Sequence, residues 1–255
     1  MDSTSRRVAV VTGGAKGIGA EVCRRLALRG DKVWIADLDL SQAKALAAEL
    51  AQHGGRAQAI ALDVGQPESV AQAFAAIDAE DHRCDVLVNS AGIAKVFPFL
   101  DFPLANFVDT LNINVTGTLL CAQHAARLMV RHRWGRIVNI ASVAGLRAVG
   151  TGRTAYGTSK GAVVALTRQM AVELAEHGIT ANAVCPGPVD TPMTQALHTA
   201  QFREEYAKAI PMERYGTPQE IAAAVLYLAS EEAAYTTGIA LPVDGGFLAS
   251  GARAL

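Results

Sequence analysis

The sequence predicts an α/β fold, a parallel sheet with helices on both faces. Short runs rich in β-branched residues alternate with longer helical patterns along all 255 residues, and parallel strands need such crossover connections. Hydrophobic residues make up 51% of the chain and aromatics only 5%. The apolar content is therefore mostly Ala, Val, Leu and Ile, as expected of buried parallel strands under Ala-rich helices. A glycine-rich turn also follows the first strand-like run and opens the first helical one. No composition shift marks a linker, so residues 1–255 read as a single domain.

The elements follow in order. Residues 8–12 form a strand, 18–29 a helix and 32–36 a second strand; a helix with a polar start covers 41–52, and a strand 58–62. Pro67 suits a first helical turn and opens a helix reaching about residue 80. Residues 86–89 are a short buried strand, 112–131 a long helix and 136–140 a strand. A helix over 156–176, a strand over 180–184, a helix over 218–228 and a last strand over 240–243 complete the pattern. The one long irregular stretch is 186–217, rich in Pro, Thr and polar residues with a helical middle at 201–208. Long irregular segments in compact domains are commonly functional, and 188–217 reads as a lid over a site.

Composition excludes several classes of function. Net charge is −1 with no Lys/Arg block, which argues against nucleic acid or an anionic membrane as partner. Cys23, Cys84, Cys121 and Cys185 lie far apart without a CxxC or Cys/His cluster, so they read as buried thiols in a reducing compartment and no metal site is expected. The apolar run 8–11 after Ser5-Arg6-Arg7 is too short for an export signal, and the longest apolar stretch, 221–229, is far short of a membrane span. The expected setting is cytoplasmic.

Chemistry concentrates in Tyr156-Gly157-Thr158-Ser159-Lys160. A helix stacks residues four apart on one face, which brings a phenol beside an ammonium. A free tyrosine titrates near pH ~10, and a neighbouring cation favours phenolate, so the pair predicts an acid/base tyrosine with a lowered pKa. The turn Thr12-Gly13-Gly14-Ala15-Lys16-Gly17-Ile18-Gly19 supplies a second signal. Glycines after a first strand permit a tight turn and close approach to a pyrophosphate, which then sits on the helix N-terminus. Asp37 ends the second strand, where a carboxylate accepts hydrogen bonds from a ribose 2′-hydroxyl and repels a 2′-phosphate.

Together with Asp63-Val64, Asn89-Ser90-Ala91-Gly92, Asn114, Ser142 and Pro186-Gly187, these motifs occur in the order seen in short-chain dehydrogenases/reductases. The chain resembles that family from about residue 8 to 246. The resemblance implies a Rossmann-type, doubly wound sheet of seven parallel strands in the order 3-2-1-4-5-6-7, nicotinamide-dependent hydride transfer and a homotetramer. On the matching positions, Tyr156 resembles the general acid/base, Lys160 the residue that lowers its pKa and meets the nicotinamide ribose, Ser142 the holder of the substrate oxygen, and Asn114 the support of a proton-relay water. Ser159 is set aside because it lies within the catalytic helix, and Asn112 because it points to another face. Gly13, Lys16, Gly17, Ile18 and Gly19 match the cofactor turn, Asp63 and Val64 the adenine contacts, and Asn89, Ala91 and Gly92 a motif in which Ser90 replaces the usual second Asn. Pro186, Gly187, Val189 and Thr191 match the loop that meets the carboxamide.

Asp37 predicts NAD rather than NADP; Lys16 argues mildly the other way, since a basic residue there can meet a 2′-phosphate. The substrate reads as a small alcohol or ketone, of the polyol or sugar kind. The alternatives are a 3-oxoacyl-thioester reductase using NADPH and a non-catalytic dinucleotide-binding scaffold. Arg147 and Arg153, near the expected pocket wall, read either as ligands for a carboxylate or phosphate or as solvated charges, with the solvated reading preferred. Helices 119–129 and 155–174 are the expected subunit interface, and the apolar tail 246–255 is expected on a neighbouring subunit.

Overall fold

A computed structural model of the chain describes residues 7–250. Its seven strands are β1 (Val8–Thr12), β2 (Lys32–Asp37), β3 (Arg56–Ala61), β4 (Val86–Asn89), β5 (Gly135–Ile140), β6 (Ile179–Pro186) and β7 (Ala240–Val243). They form one parallel sheet in the order β3-β2-β1-β4-β5-β6-β7, as expected. The helices are α1 (Gly17–Leu28), α2 (Leu40–Gln52), α3 (Pro67–Asp81), α4 (Leu104–Leu111), α5 (Gly117–His132), α6 (Thr154–Leu174), α7 (Pro192–Leu197), α8 (Ala200–Ala209) and α9 (Pro218–Leu228).

Strand alternation divides the core into two layers. Ala9, Val11, Val33 and Ile35 face α1, α2 and α9 through Leu26, Leu46 and Ile221. Val8, Val10, Trp34 and Leu87 face α3, α5 and α6 through Phe74, Met129 and Met170. Each fully buried Leu or Ile, such as Leu26, Ile35 and Ile77, contributes about 1.5–3 kcal/mol relative to exposure. The four cysteines are buried, free and far from one another's chemistry, and burial raises each thiol above its ordinary range. Among the described residues no helix is long and apolar enough to cross a membrane.

Two differences from the expected elements bear on the site. The helix expected over 112–131 begins earlier, as α4, and passes into α5 through a π-helical turn at Asn112–Thr116. Its start was readable: Leu104, Phe107, Val108 and Leu111 repeat at helical spacing after Pro103. The Asn/β-branched run Asn112-Ile113-Asn114-Val115-Thr116 conceals the continuity, because those residues lower helix propensity. The second difference is α7, which Thr191 opens with a capping box, accepting from the Thr194 N–H at 3.3 Å. The helical middle expected at 201–208 is α8.

Candidate active site

Parallel strands bring all seven C-terminal ends to one edge of the sheet, and a cavity of about 430 Å³ lies across those of β1 to β6. Gly13, Lys16, Gly17, Ile18, Asp37, Asp63, Val64, Ala91, Gly92, Ser142, Tyr156, Lys160, Pro186, Gly187, Val189 and Thr191 all line it. Three of the expected residues stand behind this wall. Gly19 lies under the first turn, where a methyl group would come within 2.1 Å of the Gly13 carbonyl oxygen. Asn89 is buried in the sheet and donates to Asn139 Oδ1 at 2.9 Å. Asn114 sits in the π-turn and clamps the segment after β4: its Oδ1 accepts from the Ile93 N–H at 2.8 Å, and its Nδ2 donates to the Ile93 carbonyl at 3.0 Å.

The first turn is a backbone cradle. Gly13 has φ +61 and faces the Ala91 backbone so closely that a methyl group would lie 2.8 Å from it. Thr12 Oγ1 accepts from the Ser90 and Ala91 N–H groups at 3.2 Å each, locking the turn to the end of β4. Helix α1 begins without a side-chain cap and has no acidic residue in its first turn, so its N-terminal N–H groups and positive dipole end are left for an anion. Asp37 closes the outer corner: Oδ2 accepts from the Ala15 N–H and Oδ1 from the Asp39 N–H, both at 2.9 Å. Lys16 turns to Asp39, pairing at 3.1 Å.

At the other end of the cavity, Lys160 is 6% exposed and donates from Nζ to the Ile140 carbonyl at 2.7 Å. Burial pulls its pKa down to about 8. Its Nζ lies 5.7 Å from the centre of the Tyr156 ring. The expectation of a lowered tyrosine pKa needs correction. Burial raises the Tyr156 phenol above its ordinary range, while a hydrogen bond with Ser142 and the charge of Arg153 pull the other way without winning. Desolvation acts on phenol and ammonium alike, and each is pushed toward its neutral form. Ser142 caps a short 3₁₀ turn, accepting from the Ala144 N–H at 3.1 Å. Ser159, which lies in α6, supports the site from behind: it donates to the Tyr156 carbonyl at 2.8 Å and accepts from Asn114 Nδ2 at 2.9 Å. Asn112, two residues from Asn114, donates instead to the Gly65 carbonyl at 3.0 Å and fixes the turn after β3.

Sequence reasoning missed several wall residues, among them Leu38, Ile93 and Ile113. They are apolar and carry no chemical signal of their own, although Leu38, which is 74% exposed, directly follows Asp37. A second hollow of about 730 Å³ is walled by the 96–99 and 148–154 segments and shares no lining residue with the first. The tail expected on a neighbouring subunit is occupied within its own chain as far as it is described: Phe247 packs edge-to-face on Tyr206 at 5.5 Å, and the Arg147 guanidinium lies 5.3 Å from the Phe247 ring centre. Residues 251–255 lie outside the described residues.

A parallel sheet of this order with a glycine cradle after β1 and a Tyr/Lys/Ser group after β5 defines a nucleotide-dependent oxidoreductase. A family model described as enoyl-(acyl carrier protein) reductase matches residues 13–248. The chain is 39% identical over 241 residues to a 3-oxoacyl-[acyl-carrier-protein] reductase of Aquifex aeolicus, covering 94% of this chain and 96% of that one. Among solved structures, a short-chain type dehydrogenase/reductase from Mycobacterium marinum superposes with a TM-score of 0.92 at 38% identity, over 96% of this chain and 97% of that one. A putative gluconate dehydrogenase from Agrobacterium tumefaciens superposes with a TM-score of 0.93 at 32% identity, with the same coverages. The chain belongs to the short-chain dehydrogenase/reductase family, oxidoreductases that act on CH–OH groups with nicotinamide dinucleotide cofactors.

Proposed function

We propose that this protein interconverts a secondary alcohol, of the polyol, sugar or related hydroxy-compound class, and its ketone with NAD(H), and that Tyr156 moves the proton. One observation carries the reading: the phenol of Tyr156, the hydroxyl of Ser142 and the ammonium of Lys160 border the same cavity as the glycine turn. The residues present fit a dinucleotide, since the turn is closed to any side chain at Gly13 and the first turn of α1 is left uncapped. When bound, that cofactor supplies the hydride acceptor or donor. Ser142 holds the substrate oxygen. Tyr156 takes the hydroxyl proton in oxidation and returns it in reduction. Because burial raises the phenol, the oxidation direction gains with rising pH, where more phenolate is present.

Lys160 keeps two N–H donors beyond the bond to Ile140, enough for a ribose hydroxyl. Asn114 acts by holding the Gly92–Ile93 backbone against the lysine end of the cavity. NAD is favoured over NADP by Asp37, which has no cationic partner among the described residues, and by the pairing of Lys16 with Asp39. Two like charges at about 4 Å repel by roughly 1–4 kcal/mol between water and a protein surface, enough for an NAD preference of about 10- to 100-fold.

The test compares kcat/KM for NAD and NADP across polyols, sugars, secondary alcohols, hydroxy acids and steroids, with Tyr156→Phe as control. Expected are an NAD preference and a loss of turnover of about 10³-fold or more in the variant, with NAD binding retained. A clear NADP preference removes the role of Asp37. Full turnover in Tyr156→Phe removes Tyr156 as the acid/base, and NAD binding with no turnover of any compound by the native protein leaves a dinucleotide-binding scaffold. The 39% identity to a 3-oxoacyl-[acyl-carrier-protein] reductase favours a second reading, reduction of a 3-oxoacyl thioester, and NADPH use with carrier-protein dependence selects it. A homotetramer through α5 and α6 belongs to the same proposal: Val172 on α6 is 76% exposed and Leu119 and Val130 on α5 are 36% exposed. A monomer mass by light scattering removes it.

A further inference from the structure

Positive charge beside Tyr156 is out of balance. Arg153 stands at the N-terminal boundary of α6, three residues before the tyrosine, and is half-buried. It lines the second hollow, and its charge acts on both Tyr156 and Tyr206. Its side-chain partner is neutral: Nη2 donates to His198 Nε2 at 2.8 Å. The accepting Nε2 places the imidazole proton on Nδ1, which lies 3.0 Å from the Tyr215 hydroxyl. Burial and the charges of Arg153 and Arg203 hold His198 down to about 4, so the ring orients the guanidinium without adding charge.

The surroundings do not return the missing negative charge. Phe202, Tyr206 and Tyr215 pack around the His198 ring at 4.7, 6.2 and 6.0 Å. Arg203 stacks over Tyr215 at 4.3 Å and is neutralised by Asp190 at 2.9 Å. Arg147 lies over Phe247, and among the described residues neither it nor Arg153 has a carboxylate partner. The carboxylate nearest this group in the ion pairs, Asp190, is taken by Arg203, and that of Asp244 accepts from the Gly246 and Leu248 N–H groups. A half-buried guanidinium with no carboxylate partner in its own chain keeps N–H donors for an anionic ligand. Of the two readings of Arg153, its half-buried place against a neutral imidazole favours anion binding, whereas Arg147 is exposed.

We propose that Arg153 is the counter-ion site for an anionic substituent, a carboxylate or phosphate, carried by the ketone or alcohol whose oxygen reaches Tyr156, with His198 as its positioning residue. Guanidinium geometry suits either anion by paired N–H donors. The inference rests on the oxidoreductase reading above and deepens it from any secondary alcohol to an acidic one.

Two matched pairs test it: 4-oxopentanoate against 2-pentanone, and dihydroxyacetone phosphate against dihydroxyacetone. Removing Arg153 also lifts the Tyr156 phenol, which affects both members of a pair, so the ratio of their kcat/KM values isolates the counter-ion effect. In the native enzyme the charged member is expected to lead by about 30-fold or more in one pair, and which pair tells carboxylate from phosphate. Arg153→Leu lowers that ratio at least ten-fold, Arg153→Lys restores part of it, and His198→Phe lowers it through KM rather than kcat. A ratio near one in both pairs, or one indifferent to Arg153→Leu, overturns the proposal. The same four compounds are added to Tyr156→Phe in a thermal-shift assay, which needs no turnover. A stabilisation by the charged member that is absent from the Tyr156→Phe/Arg153→Leu double variant supports the site even where the alcohol–ketone reading fails. No charge-dependent stabilisation sinks the site alone.

Discussion

The two sides of the cleft are built from different material. On the β1–β4 side, contacts are made by backbone and small residues: Gly13 against the Ala91 backbone, Gly19 under the Gly13 carbonyl, Asp37 accepting from the Ala15 N–H. Neighbours in that network are near in sequence or on adjacent strands, and their spacing is set within tenths of an ångström. On the other side, beyond Ser142, contacts join side chains from segments far apart: Arg153, which lines the second hollow, meets His198, and Tyr206 meets Phe247. Long side chains there adapt by changing rotamer, and only a few fixed hydrogen bonds hold them. A backbone-built site binds one shape of ligand in many proteins, whereas a side-chain-built wall is where specificity diverges.

A matched pair of glycine substitutions puts the largest strain on that comparison. Gly19→Ala places a methyl group 2.1 Å from the Gly13 carbonyl oxygen, so the cradle must open, and nucleotide Kd is expected to weaken by about 100-fold or more while circular dichroism stays native. Gly150, which lines the second hollow, has φ +64 and nothing within 4 Å of a new methyl group. Gly150→Ala therefore costs only the backbone strain, about 1 kcal/mol or slightly more, and leaves nucleotide Kd within two-fold. Equal losses of nucleotide binding in the two variants would erase the distinction.

A smaller effect sharpens the boundary between the two sides, where Lys160 stands. Its pKa falls from an ordinary 10.5 to about 8 on folding. Between these values the unfolded chain holds more protons, so stability rises with pH across about 8 to 10.5; below about 8 the full cost of burying the ammonium, on the order of 3 kcal/mol, is present. Lys160→Met removes that cost but leaves the Ile140 carbonyl without its donor, which returns about 1–3 kcal/mol. The expected net result at pH 7 is a Tm higher by a few degrees with turnover abolished, and an advantage that disappears near pH 10. A lower Tm at pH 7 would mean that the ammonium is better satisfied than its burial implies.

Local rules carried much of this molecule. The central strands β1, β2, β4 and β5 could be read from β-branched runs because parallel strands buried on both faces leave a nearly continuous apolar trace, whereas the edge strands β3 and β7, partly exposed, were placed by the rhythm of the elements around them. The cradle was legible because only glycine occupies φ +61 at Gly13 without strain. Tyr156, Lys160 and Ser142 were legible because chemistry restricts which residue types do that work. The π-turn at Asn112–Thr116 was not, since a single wider turn inside a helical run has no residue pattern of its own.

By itself, then, the sequence determined the order of elements, the cradle and the reacting side chains, all of which depend on residue type and short spacing. Tertiary structure alone decided the rest. It set Lys16 on Asp39 and clear of Asp37, and put Asn114 behind the cavity wall. It made the tyrosine harder to ionise instead of easier, and drew His198 45 residues along the chain to Arg153. The physical reason is common to all of these: charge balance and desolvation are sums over neighbours in space, and spacing along the chain does not specify who those neighbours are.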